Sequence, residues 1–178
     1  MKNNTNISRI QHVSGQFRIL LTALIILIPV ASLMYWLFFN SLPVGFHSGL
    51  PLRVKTELSL ATLLLLFLVS LIPISAVLYG AVNLRKLFGL YEKGIVFSEQ
   101  NVSCLRHIGY ALLLRVAADF IFVFLFSLVI KFTNPAGHLA IRFGSSDIYT
   151  LIIGAVILLI AWVMKEAVVL EDEHAHTV

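Results

Sequence analysis

Arg115 and Asp119 stand four residues apart within the apolar run Ile108 to Ile130, opposite charges at helical spacing inside a stretch long enough to cross a bilayer. Each charge costs about 2.5 to 3.5 kcal/mol at the centre of a membrane helix on insertion scales, and each apolar neighbour returns only a few tenths. Such residues need partners or water. An i, i+4 pair can neutralise itself, although Arg before the acid is the weaker order. Ser127 falls on roughly the same face, two turns beyond Asp119. Two kinds of chemistry are open to this set. The charges bond to one another, or to Ser70, Ser75, Tyr79 or Asn83, and hold helices together; or they line a polar path, a protonation switch or a ligand site.

Other reactive side chains are sparse. His174 and His176 form an HxH beside Glu171, Asp172 and Glu173. Nothing in the spacing fixes a ligand geometry, so a solvated acidic tail is expected, without a metal or other cofactor. His47 and His138 fall one in each outer loop, and His107 lies at the membrane edge, where an interfacial role is the simpler reading. The single cysteine, Cys104, excludes an intramolecular disulfide and cannot by itself make a zinc cluster. No GxSxG, HExxH, Walker loop or CxxC signature occurs, so no catalytic residue is assigned and no enzyme is expected.

The elements that must position these residues follow from composition. Hydrophobic residues make up 59% of the 178 and charged residues only 12%, against about 25% charged in ordinary soluble domains. Lipid is the expected solvent. The formal net charge is +4, but no basic run or aromatic-interleaved basic patch appears, so nucleic acid is not an expected partner. Four apolar stretches, about 19–39, 58–82, 108–130 and 148–164, approach or exceed the roughly 20 residues that cross a 30 Å hydrocarbon core. Pro73 lies inside the second, where it bends rather than ends a helix if neighbours or Ser75 satisfy the freed carbonyl. The first stretch continues past the small residues "VAS" into "LMYWLFF", which is span length and argues against a cleaved leader. Ala76 with Gly80, and Gly154 with Ala155, are small residues that could mark helix contacts.

Orientation is set by the basic residues. Lys2, Arg9, Arg18, Arg85, Lys86, Lys93, Arg106 and Lys165, eight of the 13, fall on one side, and Arg53, Lys55, Lys131 and Arg142, four, on the other. Both termini and the middle connection are therefore expected in the cytoplasm. The outer connections are rich in Gly, Pro, Ser and Asn and read as loops.

The middle connection, "LYEKGIVFSEQNVSCLRHIG", is polar, capped and marked by a turn. Leu84, Leu87, Phe88 and Tyr91 recur at helical spacing with Arg85, Lys86, Glu92 and Lys93 mostly opposite, so the second span should continue as an amphipathic helix. Gly94 fits the left-handed residue that closes a helix, with Ile95 placed to meet Leu90. Ser98 can cap the restart, Glu99 suits the first turn, and Phe97 with Val102 fill the positions of a hydrophobic staple. Asn101 stands where a capping box would have Glu or Gln. The predicted geometry is an antiparallel helical hairpin over 84–107, followed at the chain's end by an acidic cytoplasmic tail, 165–178.

This run, followed by "ALLL", looks like the signature of the bacterial membrane family catalogued as domain of unknown function 2975. The pattern is carried by Tyr91, Gly94, Phe97, Ser98, Asn101, Leu105, Arg106 and Gly109, and the resemblance continues through Asp119 and the fourth span to the acidic "EDEH". "HAHTV" departs from the family's usual ending. The resemblance implies a small four-span protein of the bacterial inner membrane and no known activity.

The expected fold is all-α, a single integral membrane bundle of four transmembrane helices with helices 2 and 3 extended into a cytoplasmic helical hairpin. Two functions are carried forward. One is a non-enzymatic interaction or regulatory module; the other is a small oligomeric channel or transporter with Arg115 and Asp119 lining a polar path. Beyond the lipid bilayer, the expected partners are further copies of the chain or a membrane or cytoplasmic protein.

Overall fold

A computed structural model describes residues 2–47, 50–51, 57–133, 139–140 and 142–175. Four long helices account for most of it: α1 (Lys2–Leu37), α2 (Leu60–Glu92), α3 (Glu99–Thr133) and α4 (Ser145–Ala175), with short 3-10 turns at Phe39–Ser41 and Val44–His47. No strand occurs among the described residues. Each helix contains a window apolar enough to span a membrane, and at 1.5 Å per residue all four are about 46 to 54 Å long, well beyond a 30 Å core.

Local chemistry sets the ends. Ser59 caps α2, its hydroxyl accepting from the Thr62 amide at 3.3 Å. Gly144 opens α4, where the Asp147 carboxylate reaches back to accept from the Gly144 amide at 2.7 Å, the returning half of a capping box. Neither Pro29 in α1 nor Pro73 in α2 ends its helix. Ser75 donates to the Ile72 carbonyl at 2.7 Å, so it does not serve the Val69 carbonyl that Pro73, lacking an N–H, leaves without its usual donor.

The helices pack in chain order, α1 on α2, α2 on α3 and α3 on α4, and no other pair makes an extended close approach among the described residues. The four expected helices are thus present, arranged as an open row among the described residues. α2 and α3 form its centre. In their most apolar windows 28% and 33% of residues are buried, against 6% in α1 and 11% in α4. The outer helices therefore present Leu, Ile, Val and Phe side chains outward along their length, a surface that suits lipid tails and not water. At one end Trp36, Phe39, Leu58, Leu66, Phe126 and Ile130 form an aromatic-rich core; at the other, Leu87, Cys104 and Ile108 form a smaller one.

The polar stretch before Ile19 is helical from Lys2 onward and flanks the hairpin: Phe17 stacks on Phe88 at 5.0 Å, and Arg18 pairs with Glu92 at 2.7 Å. On the other flank, the α4 residues Lys165, Val168 and Val169 share a groove with Glu99, Val102 and Arg106. The α2–α3 hairpin is thus flanked by α1 on one side and α4 on the other. The expected acidic tail is also helical as far as Ala175, with residues 176–178 outside the described part.

Small residues set the spacing. A β-carbon on Gly80 would lie 3.1 Å from that of Ala111, and one on Gly109 would lie 2.6 Å from Leu158 Cγ and 3.2 Å from the Gly154 carbonyl. Gly109, part of the hairpin signature, is therefore a point of close approach between α3 and α4. Ala155, beside Gly154, is exposed.

Candidate functional site

Arg115 and Asp119 form a salt bridge along one turn of α3, and each side chain keeps about a third of its surface exposed, 35% and 29%. They open onto a cavity of about 340 Å³ between α2, α3 and the start of α4. Its walls include Ser70 and Pro73 from α2, Arg142 from the loop, and Asp147 from the first turn of α4. The cavity thus carries two cations and two anions.

Its assembly depends on where α4 begins. Phe143 stacks on Phe120 with ring centroids 5.6 Å apart, which places the first turn of α4 beside Asp119 instead of beside the far end of α3 at Thr133. Shortly before it, the Ala140 amide donates to the Ser127 hydroxyl of α3 at 3.1 Å. Ser127, fully buried, donates in turn to the Val123 carbonyl at 2.6 Å. It fastens the loop and does not line the cavity with Arg115 and Asp119, so the shared face inferred from spacing does not bring the three together.

Of the four partners considered from sequence, only Ser70 reaches the cavity. Its hydroxyl donates to the Phe67 carbonyl at 2.7 Å and accepts from Trp36 Nε1 at 3.1 Å, tying α1 to α2. Ser75 bonds within its own helix. Tyr79 meets the His107 ring edge to face at 6.1 Å, and buried Asn83 donates to the Tyr79 carbonyl at 2.8 Å. The groups that do join the pair, Arg142 and Asp147, escaped sequence reasoning because they precede the fourth apolar run and read as loop. With balanced charge and partial exposure, the cavity suits water or a dipolar solute better than an ion of one sign.

The middle connection is equally well defined. Gly94 has φ +77°; its amide donates to the Tyr91 carbonyl and the Ile95 amide to the Leu90 carbonyl, both at 3.0 Å, the paired bonds of a Schellman closure. Ser98 then caps α3, accepting from the Asn101 amide at 3.3 Å. Asn101 is wholly buried. Its side-chain amide donates to the Ile95 and Val96 carbonyls at 2.9 and 2.7 Å while its oxygen accepts from the Ser98 hydroxyl at 3.0 Å. A Glu could not make those donations, so Asn101 is the residue this turn requires and not an imperfect capping box. Ile95, Val96 and Phe97 stand outward, Phe97 with 69% of its surface exposed and so contributing little to the expected staple on Val102. Tyr91 and Leu105 pack around the Leu87–Cys104–Ile108 core, and Arg106 is exposed in the groove facing α4.

Among the described residues no group of three His, Cys, Asp or Glu side chains converges on a point. The HxH falls partly outside this description: His176 is not among the described residues, nor is His138, Arg53 or Lys55.

A family model described as "Protein of unknown function (DUF2975)" matches residues 20–178, from the apolar part of α1 through the hairpin and the polar cavity to the last residue. No curated protein and no solved structure matches the chain.

Proposed function

The chain belongs to the DUF2975 family of unknown function, and from that premise we propose a non-enzymatic interaction or regulatory module of the bacterial inner membrane. Both termini and the α2–α3 turn face the cytoplasm in this reading, as the excess of basic residues on that side favours. The observation that carries it is the build of the turn. Its polar groups are engaged internally through Gly94, Ser98 and Asn101, while Ile95, Val96 and Phe97 are left exposed. A soluble loop ordinarily does the reverse, and a rigid apolar tip binds with little ordering cost. The partner it suits is a membrane or cytoplasmic protein with an apolar recess. A photo-crosslinking residue at Val96 should capture one discrete partner in cells and lose it when Phe97→Ser is added. Capture of nothing, or of the same adduct with Phe97→Ser present, would remove this reading.

The cavity around Arg115 and Asp119 favours a second reading, a small oligomeric channel or transporter, because four helices in an open row leave room for other copies to complete a path. Flux of a dipolar solute such as glycerol or glycine into liposomes carrying the protein should then fall with Asp119→Asn. Equal flux through both forms would argue against it.

A further inference from the structure

A second cleft, distinct from the cavity at Arg115, opens at the base of the hairpin between α1, α2 and α3. Its volume is about 510 Å³, and it is lined by Arg18, Arg85, Lys86, Lys93, Ser103 and His107 among others, with no acidic residue in its wall. Ligand sites are commonly about 300 to 1,000 Å³. Arg18 is neutralised by Glu92 at 2.7 Å. Arg85 is held in place by its Nε, which donates to Thr22 Oγ1 at 2.7 Å, and that hydroxyl donates on to the Arg18 carbonyl at 2.7 Å. Arg85, Lys86 and Lys93 form no ion pair among the described residues, so three cations converge on the cleft uncompensated. Its depth is set by the sequence: Arg18 directly precedes the apolar run beginning at Ile19, Asn83 directly follows Val82, and His107 directly precedes Ile108. The cleft therefore lies where three apolar runs end, at the level of lipid headgroups.

We propose that this cleft binds a phosphate-bearing anion, with Arg85, Lys86 and Lys93 supplying the charge and the Thr22–Arg85 bond fixing the guanidinium beforehand. Basic clefts between membrane helices suit anionic headgroups, and a guanidinium with adjoining ammonium groups suits phosphate oxygens from either a lipid or a soluble phosphate ester. The site is independent of the partner proposed above and of which face of the membrane carries the turn. It can fail or stand without them.

The full-length protein in detergent provides the test, titrated with dioleoylphosphatidylglycerol, dioleoylphosphatidylcholine and inorganic pyrophosphate, with lipid adducts read by native mass spectrometry and pyrophosphate by thermal shift. Preference for phosphatidylglycerol over phosphatidylcholine, weakened about fivefold for each charge removed in Lys86→Gln and Lys93→Gln, assigns the phosphate to a lipid. Stabilisation by pyrophosphate with the same charge dependence and no lipid preference assigns it to a soluble ester. Lys86→Arg with Lys93→Arg should keep binding in either case. The site is overturned if neither ligand binds, if the Gln variants bind as the parent does while keeping its helicity, or if Lys131→Gln, outside the cleft, weakens binding equally.

Discussion

Asn101 and Val96 are joined by a 2.7 Å hydrogen bond from the buried side-chain amide to the backbone carbonyl, and with the matching bond to Ile95 it holds the turn between α2 and α3 in one conformation. Asn101→Asp keeps the shape but removes both donations. Leaving such groups unmet costs about 1 to 3 kcal/mol, so this variant should melt earlier in detergent by circular dichroism. Phe97→Ser, at an exposed position, should shift stability by less than about 0.5 kcal/mol.

Gly94, at φ +77°, occupies a backbone region that costs an L-residue about 1 to 2 kcal/mol. Gly94→Ala should therefore destabilise by about 1 kcal/mol, and Gly94→Asn by less, because Asn tolerates the left-handed region better. Chemical denaturation of both variants measures the order; an equal loss would mean that the turn does not depend on that conformation.

At the contact of α3 with α4, a β-carbon on Gly109 would stand 2.6 Å from Leu158 Cγ. Gly109→Ala should destabilise, by about 1 to 3 kcal/mol as overpacking does. Leu158→Ala added to it should recover part of the loss, because the nearest obstruction is a side chain, with the Gly154 carbonyl farther off at 3.2 Å. A double-mutant cycle on thermal stability reads this coupling, and strict additivity would show that the two residues do not meet.

The salt bridge between Arg115 and Asp119 makes a different prediction. Breaking a fully buried pair costs about 3 to 5 kcal/mol; exposure of about a third of each side chain lowers the expectation for Asp119→Asn to about 1 to 2 kcal/mol. The double variant Arg115→Gln with Asp119→Asn should be more stable than Asp119→Asn alone, since no lone charge remains. Thermal unfolding in one detergent compares them directly.

How far the sequence could carry these conclusions depended on the range of the interactions. The stop at Gly94 and the restart at Ser98 were legible because caps are local, and the four apolar runs because hydropathy needs no partner. Asn101 was legible as a departure from the capping box, but its donor role was not, since the carbonyls it serves precede the helix it begins. The helix before Ile19 lacks an apolar run and rests on contacts such as Phe17 with Phe88. Arg142 and Asp147 meet the Arg115 pair at the start of α4, where Phe143 stacks on Phe120, and Ser127 bonds to Ala140, 13 residues away. None of these pairings leaves a local pattern to read.

Single-cysteine labelling tests most directly that the α2–α3 turn stands exposed in the cytoplasm. In a Cys104→Ala background, Phe97→Cys should resist a membrane-impermeant maleimide in spheroplasts and react fully in inverted inner-membrane vesicles. Reaction in intact spheroplasts would place the turn on the other face and contradict the proposed orientation, and protection in both preparations would show that the tip is not the exposed knob on which the proposed function depends.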